Sequence, residues 1–375
     1  MERPANGDDG SGSIEAGPIA THSRVATTPV PRVGIVEPLR GLAAFAVAWF
    51  HFTNGGGLLS EGWLKASGKY GWLGVQVFFV ISGFIIPYAL YHSAYLFPQH
   101  MGRFVLKRVI RLDPPYIAAI IGTIALGFLS AAAPGFRGSA PQIEWIPLVL
   151  HLGYLNAFFG YPWVIPVLWT LAIEFQFYLL ISVSLPVLVH RSWILRTVLF
   201  STFLGLPFLV PGEAFVFRYL GLFALGLVTF QKYVGFLSVR AFLLHLAAAV
   251  TVATFSLGAT EAFAGLLAAL LIAFLKVPSW APLNWLGAVS YSLYLLHVPV
   301  GGRVVNLGSR WADDALSQVA VLVLAVAISL IASYLMYRWI ELPARQWSSS
   351  LRYERKSARP LDPVTPELDL SNLKS

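Results

Sequence analysis

WLGVQVFFVISGFIIPYALY, residues 72–91, runs for 20 residues without one charged side chain. A helix rises about 1.5 Å per residue, so such a stretch is about 30 Å long, the thickness of a bilayer's hydrocarbon core. Residues 167–189 and 318–340 are almost as apolar. Across 375 residues, 57% are hydrophobic and 12% charged, against about 25% charged in a soluble globular chain. One soluble core cannot absorb so many apolar runs. The fold expected is all-α, a polytopic integral membrane protein.

Ten segments read as spans: 35–53, 72–91, 115–133, 167–189, 194–210, 215–230, 238–257, 260–276, 285–304 and 317–340. An eleventh, 146–159, is short and holds His151 and Asn156. With ten crossings, the cations at Arg103, Lys107, Arg108, Arg111, Arg191, Arg196, Lys232, Arg240 and Lys276 and the basic tail all fall on one side. The positive-inside rule then places both termini in the cytoplasm and makes 134–166, rich in Pro and aromatics, an outer loop. Residues 1–33 and 348–375 are polar and read as disordered cytoplasmic tails flanking a transmembrane domain over 34–347. The first 33 residues lack the apolar stretch of a signal peptide.

The net charge of +8 is spread through short loops rather than along a stripe, which argues against nucleic acid as a partner. There is no cysteine, which excludes disulfides, thiolate metal ligands and a cysteine nucleophile. No phosphate loop, HExxH or GxSxG pattern is present. Asp313-Asp314 is the one hint of a metal site, and no metal is expected.

An ionisable group inside hydrocarbon costs about 2.5–3.5 kcal/mol or more, so each needs a reason. Arg40, His51, Glu174 and His297 are the ones here. Singly, each reads as readily as an interhelical hydrogen bond; together they point to a site. Arg40 and His51 are eleven residues apart, close to three helical turns, and share a face about 16 Å apart. Glu37 is placed to pair with Arg40. The cluster Arg103–Arg111 reads either as a topology anchor or as a phosphate clamp, since guanidinium forks suit phosphate oxygens. Gly74 and Gly83 read as sites of close helix packing.

In order along the chain stand LRGLAAFAVAWFHF (39–52), GVQVFFVISGFII (74–86), RFVLKRVIRL (103–112), LWTLAIEFQFYLL (168–180), LGAVSYSLYLLHVPV (286–300) and ELPAR (341–345). This series resembles the membrane acyltransferase type 3 family, which O-acylates bacterial surface sugars and some small molecules. Arg40 and His51 match the family's first-span motif, Arg108 and Arg111 its Arg-x-x-Arg pair, and Glu174 the glutamate after Trp-Ser/Thr-Leu, with Thr170 for the commoner serine. His297 matches the histidine closing the Ser-Tyr-Ser-Leu-Tyr element. Gln76 stands where many relatives have aspartate, and Asp113 where an aromatic is usual, beside the arginines whose field it would weaken. No hydrolase-like domain follows the last span, so the membrane domain is expected to act alone.

The resemblance implies an inner-membrane O-acyltransferase moving an acyl group, acetyl above all, from acyl-coenzyme A to a hydroxyl of a carbohydrate or glycolipid acceptor, with membrane lipid around it. The donor is a co-substrate, and no resident cofactor is expected. A neutral imidazole suits the removal of a hydroxyl proton. His51 is the candidate base with Glu174 orienting it; the alternative makes His297 the base and leaves His51 to position the acceptor. Direct transfer and a short-lived acyl-histidine both stay open. Arg40, Arg108 and Arg111 are expected to bind acyl-coenzyme A, and Gln76, Trp169 and Thr170 to line the acceptor's route. The rival readings are a multi-pass transporter, which needs no phosphate clamp, and a lipid-linked glycosyltransferase, which would favour acidic metal motifs.

Overall fold

Each apolar run becomes a helix because, without water, a backbone must satisfy its own hydrogen bonds. The structure, a computed structural model, describes residues 33–133 and 140–353. Among them are α1 (Val36–Asn54), α2 (Trp63–Gly68), α3 (Gly74–Tyr91), α4 (Met101–Ala132), α5 (Trp145–His151), α6 (Trp169–Leu188), α7 (Trp193–Leu209), α8 (Leu220–Tyr233), α9 (Val239–Ser256), α10 (Ala259–Phe274), α11 (Ala281–Leu296), α12 (Arg303–Gly308), α13 (Ala315–Met336) and α14 (Leu342–Ser350). No strand occurs among the described residues. Two π-helical segments, His297–Gly302 and Tyr337–Glu341, continue α11 and α13.

Every expected span contains a helix. Five helical stretches are long and apolar enough to cross a membrane: Trp63–Tyr91, Met101–Ala132, Pro166–Leu188, Val239–Ser256 and Ala315–Ser350, with α7 and α10 shorter but apolar. The segment 146–159 holds α5, seven residues and about 10 Å, a third of the hydrocarbon thickness, and a 3-10 turn at Asn156–Phe159. α4 corrects an expected boundary. The basic stretch 103–111 is no separate surface segment but the start of a 32-residue helix that runs through Pro114 and Pro115.

Most of the expected tails, residues 1–32 and 354–375, lie outside the described residues. Residues 348–353, also assigned to a tail, instead pack on α4: Ser348 Oγ donates to the Lys107 carbonyl at 2.7 Å, and Tyr353 stacks on His100 at 5.2 Å. Asp314, half of the suspected metal pair, is the N-cap of α13 and accepts from Ser317 N at 2.8 Å. The bonds from Ser317 hold its carboxyl below the usual carboxylate range.

α1 and α11 run parallel and touch backbone to backbone. A methyl group added at Gly41 would lie 2.7 Å from Gly287 N, one at Gly287 2.2 Å from the Glu37 carbonyl oxygen, and one at Gly56 2.7 Å from Val305 Cγ1. α4 runs the same way: Tyr291 Oη donates to Leu112 O and Arg303 Nη2 to Thr123 O. α3 returns antiparallel to α1, with Gly74 against the Ala43 carbonyl, and Gly83 meets that of Phe223. The reading of both glycines as close-packing positions holds.

Gly287→Ala must push apart two backbones that nothing flexible separates. Overpacking of this kind costs about 1–3 kcal/mol. The expected result is a clearly lower thermal midpoint in detergent, measured by intrinsic tryptophan fluorescence, whereas Gly102→Ala, where an added methyl meets nothing within 4 Å, should leave it in place.

Candidate active site

α1 carries His51 and the turn after α11 carries His297, and the parallel packing brings their rings together edge-to-face, 5.0 Å between centroids. His297 is fully buried. Its Nδ1 lies 3.1 Å from the Leu293 carbonyl oxygen, so Nδ1 carries the proton and Nε2 is left as an acceptor. That Nε2 is buried without a hydrogen-bond partner, and so is Nδ1 of His51. Two nitrogens without hydrogen-bond partners thus stand on adjacent rings. π-helical turns often mark functional sites, and His297 opens one.

His51 lines a cavity of about 860 Å³. Its walls come from the far half of α4 (Thr123, Gly127), the connection after it (Glu144, Trp163), and the turn and helix after His297 (Arg303, Asn306). His151 and Asn156 staple this connection in place: His151 Nε2 accepts from Val164 N at 3.2 Å, and the Asn156 amide donates to the Pro147 and Pro162 carbonyls, also at 3.2 Å. Arg303 ties the cavity's two sides together by donating to the Pro299 and Thr123 carbonyls.

The expected acceptor-lining residues are elsewhere. Thr170 is buried and hydrogen-bonded to Tyr294 Oη at 2.8 Å. Trp169 packs on Tyr219, with centroids 5.6 Å apart. Gln76 is buried and its side-chain amide is turned back on the Trp72 and Leu73 carbonyls in the 3-10 turn before α3, which its nitrogen satisfies when the amide is oriented to donate. None of the three lines the cavity. Helical periodicity alone could not show which face of α3 or α6 looks into it.

Glu174 does not hold His51. Its Oε1 accepts from Ser82 Oγ at 2.6 Å, and it interacts with Tyr178, Tyr291 and Tyr294. Tyr178 in turn lies under the Arg108 guanidinium at 5.1 Å. Tyr294 closes the series, its ring 5.7 Å from that of His297. A polar ladder therefore runs through the bundle from the arginines to the histidines. These tyrosines were not singled out from the sequence, because tyrosine in a membrane helix is unremarked until its neighbours are known.

At the opposite end from the cavity, Arg111 is surrounded by Arg108, Arg345 and Arg40. Two unit charges about 4 Å apart interact by about 4 kcal/mol at an effective dielectric near 20, so such a group needs an anion. Glu341, 4% exposed, supplies one: it faces Arg345, Arg40 and Arg111. Arg40 was expected to pair with Glu37, and no such ion pair forms. Asp113 was expected to weaken the arginine field; it accepts instead from Tyr154 Oη at 2.7 Å.

A guanidinium cluster separated from a histidine pair by a polar ladder, all inside an apolar helical bundle, marks a polytopic membrane protein with a charged and polar interior. A family model described as an acyltransferase domain matches residues 35–338, and the chain belongs to that acyltransferase type 3 family. It is 26% identical to the peptidoglycan O-acetyltransferase OatA of Listeria monocytogenes over 83% of this chain and 55% of the relative. With the O-acetyltransferase OatA of Staphylococcus aureus it shares 33% over 41% of this chain and 25% of the relative. The chain thus spans about half, or less, of the length of these relatives. No solved structure matches it.

Proposed function

We propose that the chain moves an acyl group, acetyl above all, from acyl-coenzyme A to a hydroxyl of a carbohydrate or glycolipid acceptor. The observation that carries this reading is the pairing of His51 with His297 at the end of a cavity, with arginines at the far end of the same helix face. Arg40, Arg108 and Arg111 hold the donor's phosphates, and the pantetheine arm follows the ladder past Tyr178 and Glu174. About 16 Å separates Arg40 from His51 along α1, comparable to an extended pantetheine.

The acceptor enters the cavity and presents its hydroxyl to Nε2 of His51. His297 Nε2 accepts from His51 Nδ1, which fixes the tautomer with a free lone pair at His51 Nε2. As the acceptor oxygen bonds to the thioester carbonyl carbon, its proton passes to His51 Nε2. The C–S bond then breaks, and the same proton goes to the sulfur, releasing coenzyme A as the thiol. The names of both relatives support acetyl as the group moved, and that of the Listeria relative supports a glycan as the acceptor. Incubation of purified protein with labelled acetyl-coenzyme A and peptidoglycan or polysaccharide fragments should give an acetylated glycan by mass spectrometry. Label retained wholly on the donor with every glycan class would overturn the reading.

The chain is further proposed to lie in the inner membrane with both ends cytoplasmic, as cytoplasmic coenzyme A requires of the arginine end. Reporter fusions after residues 30 and 360 should both report the cytoplasm. A periplasmic signal from either would put the arginines on the wrong side for the donor.

A further inference from the structure

Glu341 and Arg345 are the first and last residues of ELPAR, the stretch that follows the last residue, 338, of the family match. Glu341 closes the π-helical segment Tyr337–Glu341, and Arg345 stands one turn later on α14. Glu341 is held on both oxygens: Oε2 accepts from Ser292 Oγ at 2.7 Å, and Oε1 lies 3.8 Å from Arg345 Nη1. Ser292 is itself fully buried and sits on α11, the helix that leads to His297. The carboxylate is thus fixed from the histidine side and points its charge at Arg345, Arg40 and Arg111. Arg345 keeps a side chain 31% exposed, and its guanidinium lies near that of Arg111.

A buried carboxylate amid guanidinium groups occupies the place an anionic ligand would take. It offers two oxygens where a phosphate offers three, and it cannot leave. We infer that Glu341 is a built-in counter-anion that shares Arg345, Arg40 and Arg111 with the donor's phosphates, and that Arg345 is a further donor-binding residue. Between turnovers the carboxylate keeps mutually repelling arginines gathered. When donor binds, phosphate oxygens take over part of their hydrogen bonding. Glu341 then opposes the bound anion, which limits how tightly the product coenzyme A is held. This inference rests on the donor reading of the arginine cluster.

The two roles give opposite signs on binding. Glu341→Gln keeps an oxygen for Ser292 and removes the competing charge, so free coenzyme A should bind several-fold tighter. Arg345→Gln removes one hydrogen bond to a charged group and should bind it roughly tenfold weaker or more. Isothermal titration of coenzyme A into the purified full chain reads both, with Arg111→Gln as the control arm. If Arg111→Gln binds as wild type, the donor reading itself fails. If Arg111→Gln weakens binding while Glu341→Gln binds equally or more weakly, the counter-anion role is overturned and the donor reading stands. Should Glu341→Gln fail to fold, Arg345→Gln on its exposed helix decides, and unchanged affinity there overturns the inference. A merely structural salt bridge predicts the same direction for both variants.

Discussion

His51→Ala is expected to lower acyl transfer by about 10²- to 10⁴-fold, the contribution of a positioned general base, with the protein still inserted and folded. The ring is half-buried and lines an open cavity, so its loss leaves little packing unsupported. The donor site lies at the other end of α1, and coenzyme A should bind as in wild type. His297→Ala tests the partner role separately. It is fully buried and its variant will be less stable, so His297→Gln, which keeps an acceptor near His51, is the cleaner comparison and should retain more transfer than His297→Ala. Glu174→Gln should be impaired but active, because Glu174 orders the ladder through Ser82 and does not touch the base. Initial rates with labelled acetyl-coenzyme A decide the matter. Near-normal turnover in a folded His51→Ala protein would remove this residue from the chemistry.

Arg111→Glu should abolish measurable donor binding, and Arg108→Glu should weaken it strongly. Each substitution replaces a phosphate partner with a repelling charge, and at position 111 that charge joins Glu341. The effect should exceed the hundredfold range in dissociation constant for Arg111, since hydrogen bonds to charged groups are each worth about 1.5–3 kcal/mol and repulsion adds to their loss. Calorimetric titration of coenzyme A into the variants is the measurement. If the basic stretch were only a topology anchor, the folded fraction of both variants would bind donor normally and insertion alone would suffer.

The helices were legible because length and apolarity suffice to specify a membrane helix. α4 is longer than the expected span because its first turns, Arg103–Arg111, carry the charge of a surface segment. In the structure its first turns are held by Ser348 and Tyr353, in the segment read as tail. His51 and His297 were legible one at a time, as costly residues in apolar runs. Their meeting was not, because helix pairing is a tertiary matter that periodicity does not encode. Glu174 was assigned to His51 on depth alone, and depth says nothing about azimuth: Ser82 on α3 claims its carboxylate. ELPAR was legible as a stretch, but not the role of Glu341, because its burial against Ser292 and the arginines is a matter of tertiary packing.

The contact between Gly41 and Gly287 has one more consequence. His51 stands ten residues after Gly41, and His297 ten residues after Gly287. Two parallel rods pinned at a common zero carry the same graduation at the same height, about 15 Å further on. The two imidazoles are therefore aligned by a caliper whose jaws are glycines, and any slip at the pin is transmitted undiminished to the rings. A single residue inserted between pin and histidine on either rod would swing that ring, and every side chain after it, by about 100° and separate the pair. Selection for catalysis should thus be felt at two residues that touch no substrate, and a bulkier side chain there should silence the protein at temperatures where it is still folded.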